Sequence, residues 1–232
     1  FLRPALRGLA LISILALAEA GWACTTVVLD RENAFLFGRT YDWAFEQANV
    51  TLNVRGVAKT SFAAPPNGQP LQWTSRYASL SFNQYGQEMP MGGMNAAGLV
   101  VETMWLDGTR YPENSDLPRI DNIQWVQYML DTAANVPELL AATANVHVVS
   151  GGASKVHYQV CDRSRACAVV EFLDGKLTVY QGPSRPIPVL TNSPYMAALA
   201  YRHRARSNPH AREADSQSSL NRFLTAEKKP VL

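Results

Sequence analysis

Short runs of β-branched and aromatic residues, separated by polar turns, dominate the pattern of hydrophobic positions along the chain. The first two runs, TTVVLD at 25–30 and AFLFGRT at 34–40, are separated by RENA and predict a β-hairpin. Asp174 and Gly175 form a strong hairpin-turn signal between two later runs. The further predicted strands are 50–55, 77–83, 98–105, 155–161, 167–173, 176–181 and 187–191.

Helical periodicity is found in the middle of the chain and again in its last part. Residues 120–133 place five apolar side chains on one helical stripe, and Asp121 near the start suits the helix dipole. A second helix is predicted at 137–145, with Pro137 in its first turn. The remaining predictions are a helix at 196–206 and loops at 62–70 and 207–219. Strands in succession, followed by helices in succession, predict antiparallel pairing and an α+β fold.

The first 23 residues carry the pattern of a secretory signal peptide. Arg3 and Arg7 supply positive charge, residues 9–18 are almost entirely apolar, and Gly21 and Ala23 are small residues beside a cleavage point. The apolar stretch is short for a membrane span. The hypothesis is cleavage after Ala23 and a periplasmic or secreted product with no stable membrane insertion. The alternatives are an uncleaved anchor, a lipoprotein or a buried helix.

Composition indicates an ordinary packed globular protein, with 47% hydrophobic and 17% charged residues. Loss of the leader removes two Arg and one Glu and lowers the formal charge from +2 to +1. A charge this close to zero argues against nucleic acid as a partner. Residues 24–232 suit one large domain.

Cysteine usage fits export. Cys161 and Cys167 flank DRSRA between two strand-like runs, so their side chains could meet across a hairpin and form a disulfide. The alternative is two free, half-buried thiols. Cys24 is then unpaired, and an unpaired cysteine in a secreted protein is a liability or a reactive group.

Several common catalytic motifs are absent from the sequence: GxSxG, HExxH and GxxxxGK. The four histidines show no metal-ligand spacing, and neither a metal nor a cofactor is predicted. If the leader is cleaved after Ala23, Cys24 carries a free α-amine beside its thiol, so one residue supplies nucleophile and base. The alternative is a small apolar residue at the start of a strand.

Arg39 and Asp42 end the strand that follows Cys24 in the predicted hairpin. The cation would complement a thiolate, and the carboxylate would complement an ammonium group. A surface ion pair of little energetic weight is the alternative.

At this point the sequence resembles the choloylglycine hydrolases, the family that holds conjugated bile salt hydrolases and penicillin V acylases. CTTVVLD with FGRTYDW is similar to the start of that family. Further similar segments follow in order: GGMNAAGLVVETMW at 92–105, AVVEFLDGKLTVY at 168–180, VLTNSP at 189–194 and SSLNRF at 218–223. The resemblance implies an N-terminal-nucleophile hydrolase with a four-layer αββα sandwich.

The resemblance also implies roles for individual residues. Cys24 matches the nucleophile. Arg39 and Asp42 match the charged pair that interacts with its thiol and its amine, and Arg222 matches an arginine that supports this charge network. For Arg222 the alternative is an exposed helix residue.

Other matched positions concern the oxyanion and the substrate. Asn192 matches the amide donor of the oxyanion hole, with a plain turn residue as the alternative. Trp105 falls where the family uses a backbone N–H as second donor, so its side chain is free to bind substrate. Trp43 and Trp105 would form apolar walls for an acyl group, with ordinary core aromatics as the alternative.

Two departures refine the expectation. WLDGTRYP after the GMN segment and the export signal both look like the Gram-negative branch of penicillin V acylases, whose members can also cleave N-acyl homoserine lactones. The sequence stops soon after Arg222, whereas family members continue, so a C-terminal truncation is expected.

The predicted function is an amidase for small N-acyl amides that forms a homo-oligomer, since relatives are often tetramers. The alternatives are a bile salt hydrolase and a non-catalytic exported fragment.

Overall fold

The structure is a computed structural model that describes residues 24–228 except 44–45, 64–69, 114, 151 and 153. The predicted signal peptide and most of the predicted loop at 62–70 lie outside the described residues. The first eight strands are β1 (Thr25–Arg31), β2 (Ala34–Thr40), β3 (Asn49–Asn53), β4 (Ala58–Thr60), β5 (Gln72–Thr74), β6 (Ser79–Asn83), β7 (Pro90–Asn95) and β8 (Val100–Trp105). The later strands are β9 (Arg119–Asp121), β10 (His147–Val149), β11 (Val156–Cys161), β12 (Cys167–Leu173), β13 (Lys176–Gln181) and β14 (Val189–Leu190). The helices are α1 (Gln124–Thr132), α2 (Val136–Ala144), α3 (Tyr195–Ser207) and α4 (Ser219–Lys228).

Two antiparallel sheets form the centre of the molecule. The larger has seven strands in the order β13-β12-β11-β8-β7-β6-β3, and the smaller has three in the order β14-β1-β2. β4 and β5 form a small antiparallel ribbon, while β9 and β10 pair in parallel. The predicted hairpin of 25–30 and 34–40 is present as β1 and β2, which pair from Thr25 and Thr40 to Arg31 and Ala34.

The elements form four layers. α1 packs on β7 and β8 of the large sheet, α4 packs on β1 and β14 of the small sheet, and α3 packs on α4. Thr26 on β1 donates a hydrogen bond of 2.6 Å to Gln159 on β11, which joins the two sheets. This helix–sheet–sheet–helix order confirms the predicted α+β fold and its four-layer sandwich.

The alternation of side chains on the large sheet separates two hydrophobic cores. Tyr158 and Val170 face α1 and join a core around Trp125. Val169 faces the small sheet and joins a second core around Cys24. The same inward face also carries buried polar side chains, which surround the site described below.

Two boundaries differ from the predictions. The helix predicted at 120–133 begins only at Gln124, because Arg119–Asp121 pairs with His147–Val149 as β9. Asp121 still lies at the start of this helix, where its Oδ1 accepts hydrogen bonds from the N–H of Ile123 at 2.8 Å and of Gln124 at 3.4 Å. The loop predicted at 207–219 contains a 3-10 turn at Pro209–Ala211 and ends where α4 begins.

The hairpin of β11 and β12 is closed by a disulfide. Cys161 and Cys167 are directly opposite in the register, and their sulfurs are 2.03 Å apart. Of the helices in the described part of the chain, none has the length and apolar character to cross a membrane.

Candidate active site

Cys24 lies directly before β1 at the boundary of the second core, with 1% of its surface exposed. It lines a cavity of about 610 Å³ between the two sheets. Arg39, Tyr41, Trp43, Met104 and Trp105 also line this cavity. The predicted nucleophile, its predicted cation and both predicted acyl-facing tryptophans therefore share one cavity.

Arg222 connects Cys24 to Asn192. From α4, its Nη1 donates to the carbonyl of Cys24 at 2.6 Å and to the hydroxyl of Thr25 at 3.0 Å. Its Nη2 donates to Oδ1 of Asn192 at 2.8 Å. Burial lowers the pKa of Arg222, and electrostatic interactions with Cys24, Asp42 and Asp215 act in the opposite direction. Arg222 is thus part of the charge network and not an exposed helix residue.

The side-chain amide of Asn192 has a fixed orientation. Its Oδ1 accepts from Arg222, and its Nδ2 donates to the carbonyl of Trp105 at 2.8 Å. Because an amide nitrogen carries two hydrogens, the second N–H remains available for a further acceptor. This arrangement places an amide donor beside the strand end that carries Trp105.

Arg39 extends from β2 toward the large sheet. Its Nη1 donates to Oε2 of Glu102 at 2.5 Å and to the carbonyl of Met91 at 2.8 Å. The guanidinium carbon lies 4.5 Å from the ring centroid of Tyr41, within cation–π range. Arg39 therefore joins the two sheets beside Cys24.

The ion-pair partner of Arg39 is a carboxylate that the sequence did not single out. Burial raises the pKa of Glu102 to about 7, and the charge of Arg39 opposes that rise. Asp42, the predicted companion of Arg39, lies on the exposed segment that follows β2, and its charge acts on Arg222. An acidic residue inside the mostly apolar strand VVETMW was the signal that could have identified Glu102.

The aromatic residues form a continuous wall. The ring centroids of Tyr41 and Trp43 are 6.1 Å apart, and those of Trp43 and Trp105 are 5.9 Å apart. Trp105 is oriented by a hydrogen bond of 2.7 Å from its Nε1 to Asp107. Rings at these separations present a flat apolar surface of the kind that binds acyl groups.

A second cavity of about 880 Å³ lies on the other side of Arg39. Its walls include Leu36, Phe82 and Met94, together with Cys161, whose sulfur is bound in the disulfide. Its described walls therefore offer no thiol nucleophile. Among the residues that the structure describes, no group of three or more His, Cys, Asp or Glu could hold a metal ion.

Comparisons with known proteins agree with this architecture. The model of the linear amide C–N hydrolases, choloylglycine hydrolase family, matches residues 24–221. Penicillin V acylase of Pectobacterium atrosepticum is 26% identical over 205 residues, which cover 80% of this chain and 53% of that protein. The chain thus spans about half the length of this curated relative.

Solved structures show the same fold. The structure of penicillin V acylase from Agrobacterium tumefaciens is 27% identical with a TM-score of 0.73, covering 87% of this chain and 63% of that one. A variant of conjugated bile acid hydrolase from Clostridium perfringens is 22% identical with a TM-score of 0.64, covering 78% and 57%. At that identity the likeness to the bile acid hydrolase concerns the fold alone. Since the family model matches residues 24–221, the chain belongs to the choloylglycine hydrolase family of linear amide C–N hydrolases.

Proposed function

We propose that the protein is an amidase that hydrolyses the linear amide of small N-acyl compounds through a thioester on Cys24. The observation that carries this proposal is the connection of Cys24 to Asn192 through Arg222, with bonds of 2.6 and 2.8 Å. It links the residue that carries the thiol to the residue that carries the amide donor. Thiol attack and oxyanion stabilisation both require this juxtaposition.

The reaction would proceed in two steps. The Cys24 thiolate attacks the carbonyl carbon of the amide, and the oxyanion that forms accepts a hydrogen bond from the free N–H of Asn192. The C–N bond then breaks, the leaving nitrogen takes a proton from the α-ammonium group of Cys24, and a thioester remains. Water adds to the thioester, with the α-amine accepting its proton, and the tetrahedral intermediate collapses to the carboxylic acid and the Cys24 thiolate.

Release of the α-amine is part of the proposal. Cleavage between Ala23 and Cys24 would produce the base and would accompany export to the periplasm or the exterior. N-terminal sequencing of active protein should begin at Cys24. Recovery of active protein that retains residues 1–23 would contradict the mechanism, and an uncleaved, inactive product would favour a non-catalytic fragment.

The substrate we propose has an aromatic or fatty acyl group, as in penicillin V or an N-acyl homoserine lactone. The support is the wall of Tyr41, Trp43 and Trp105 beside Cys24. The relative from Pectobacterium atrosepticum is a penicillin V acylase.

The test is a panel of penicillin V, a long-chain acyl homoserine lactone and a glycine-conjugated bile salt, with Cys24→Ser as the control. Release of the amine from either of the first two supports the proposal. Hydrolysis of the bile salt alone would replace it with a bile salt hydrolase.

A further inference from the structure

His157 and Glu171 form a fully buried pair behind the site, on neighbouring strands β11 and β12. Each side chain is 0% exposed, and Nδ1 of His157 lies 2.8 Å from Oε1 of Glu171. Nε2 of His157 lies 2.8 Å from the carbonyl of Thr191, and Oε1 of Glu171 accepts a hydrogen bond of 3.0 Å from the N–H of Tyr195. The pair therefore contacts the chain one residue before Asn192 and three residues after it.

The proton positions follow from the partners. A backbone carbonyl only accepts hydrogen bonds, so Nε2 of His157 carries a hydrogen that points at Thr191. Nδ1 and Oε1 share one further proton, whether the pair is written as imidazolium and carboxylate or as two neutral groups. The bond to Thr191 is present in both forms, and so is the acceptor for Tyr195.

Such a pair is poorly explained by stability alone. Removing two ionisable groups from water is costly, and replacing a buried ion pair with apolar residues is often neutral or stabilising. In the described part of the structure, Oε2 of Glu171 has no hydrogen-bond partner, which adds to that cost. What an apolar pair could not supply is a directed bond at each end of the segment that carries Asn192.

The position of the pair links it both to Asn192 and to the end of β8 that carries Trp105. His157 is opposite Met104 in the register of β11 and β8, and Val156 is opposite Trp105. The carbonyl of Trp105 accepts the hydrogen bond from Asn192. A shift of the Thr191 carbonyl would therefore move the Asn192 amide relative to the strand end that it contacts.

We infer that His157 and Glu171 are positioning residues. They fix the amide of Asn192, the proposed hydrogen-bond donor to the oxyanion, by holding the backbone on both sides of it. The inference rests on the proposed function for its catalytic consequence. Its structural part, the anchoring of Thr191 and Tyr195, stands independently of the substrate.

Two substitutions separate the two bonds of His157. His157→Gln places a side-chain amide near the location of Nε2 and keeps a donor for Thr191, whereas His157→Asn places it near Nδ1 and keeps a contact with Glu171 only. Misplacing a catalytic group by about 1 Å can lower the rate roughly 10²-fold. We expect His157→Asn to lower kcat roughly 10²-fold and His157→Gln to lower it less than about tenfold, with KM within about twofold for both.

The matched control is His147, a second buried histidine, whose Nε2 lies 2.7 Å from the carbonyl of Pro112 and not from the segment that carries Asn192. His147→Asn should destabilise the fold and leave kcat per titrated active site unchanged. Alkylation of Cys24 by iodoacetamide should proceed at the wild-type rate in both His157 variants, because the contacts of Arg222 with Cys24 are untouched. Equal kcat for His157→Asn and His157→Gln, or wild-type kcat in His157→Asn, would overturn the inference.

Hydrogen exchange of the peptide 189–195 gives a readout that needs no substrate. Exchange at this peptide should be faster in His157→Asn than in His157→Gln and the wild type, and equal exchange in all three would overturn the anchoring. If the wild-type protein hydrolyses none of the linear amides, the proposed function fails, and this measurement still decides whether the pair holds the segment.

Discussion

Gly92 of β7 lies opposite Glu102 of β8, and the carboxylate of Glu102 occupies the space that a side chain at position 92 would need. The absence of a Cβ at Gly92 is what allows a buried acid to reach Arg39 between the sheets. The ion pair beside the cavity of Cys24 thus depends on two paired positions of neighbouring strands.

Gly92→Ala should displace Glu102 from Arg39. Overpacking of a buried site costs roughly 1–3 kcal/mol, so we expect a loss of that order in the free energy of unfolding, measured in urea. Gly38→Ala is the matched control, because its new carbon would lie 3.4 Å from Val27, an ordinary contact. A Gly92→Ala protein as stable as the control would show that Glu102 can move without cost.

Glu102→Gln should change the dependence of stability on pH. The pKa of Glu102 is raised from 4.5 to about 7 in the folded protein, so the native state binds more protons than the unfolded state between these values. The corresponding stability is present below about pH 4.5 and is lost as the pH rises toward 7. The variant stays neutral and does not lose this stability. Between about pH 4.5 and about pH 8, the free energy of unfolding of the variant minus that of the wild type should therefore increase by roughly 3 kcal/mol. Urea unfolding at both pH values measures this difference, and a change of the opposite sign would contradict the assignment.

Cys24→Ser should remove most of the proposed amidase activity. An alcohol has a far higher pKa than a thiol, so a serine is scarcely ionised where a cysteine thiolate is available. We expect kcat to fall by at least about 10²-fold on penicillin V, with an unchanged circular dichroism spectrum. A variant with wild-type kcat would place the nucleophile elsewhere.

Trp105→Ala should weaken substrate binding more than the chemical step. The substitution removes one wall of the cavity but leaves the backbone of Trp105, whose carbonyl binds Asn192, in place. We expect KM to rise while kcat changes little, which is the signature of lost uniform binding. A fall in kcat at constant KM, measured on an acyl homoserine lactone, would make Trp105 part of the catalytic framework.

The double variant Cys161→Ser and Cys167→Ser should keep its kcat. The disulfide lies on the hairpin turn of β11 and β12, and its sulfurs take no part in the proposed chemistry. Closing so short a loop contributes roughly 2 kcal/mol through the entropy of the unfolded chain, so a loss of that order is expected in thermal unfolding. Recovery of both thiols in free form from protein purified under oxidising conditions, by non-reducing peptide mapping, would reject the disulfide.

The predicted strands and helices were those with strong local patterns, and the elements missed were those that depend on distant partners. PMGGMN of β7 lacks β-branched residues, yet it lies in the middle of the large sheet between β6 and β8. Its glycines are explained by Glu102 and by the close backbone of Leu80, neither of which is visible in the local sequence. Likewise, Arg119–Asp121 forms a strand only because His147–Val149 lies beside it.

The site was predicted only in part, because some of its residues are likewise defined by partners that are distant in the sequence. Motif resemblance identified Cys24, Asn192 and Arg222, which the structure connects by hydrogen bonds. His157 is one of four histidines without metal-ligand spacing, and nothing near it in the sequence indicates Glu171 as its partner. A single histidine on an alternating strand becomes informative only when the fold supplies the carbonyl and the carboxylate that it contacts.

The bond between Arg222 and the carbonyl of Cys24 joins residues that are 198 positions apart. Contacts of such long range form late, because a large loop must close before they can stabilise the chain. During synthesis Cys24 is made early, and α4 leaves the ribosome only after all the strands described above have been made. Cys24 therefore cannot acquire its contact with the guanidinium of Arg222 while those strands are still being made. On the proposed mechanism, Cys24 would become a complete catalytic group only after the sandwich has assembled, so the order of synthesis would keep a nascent chain from premature thiol chemistry.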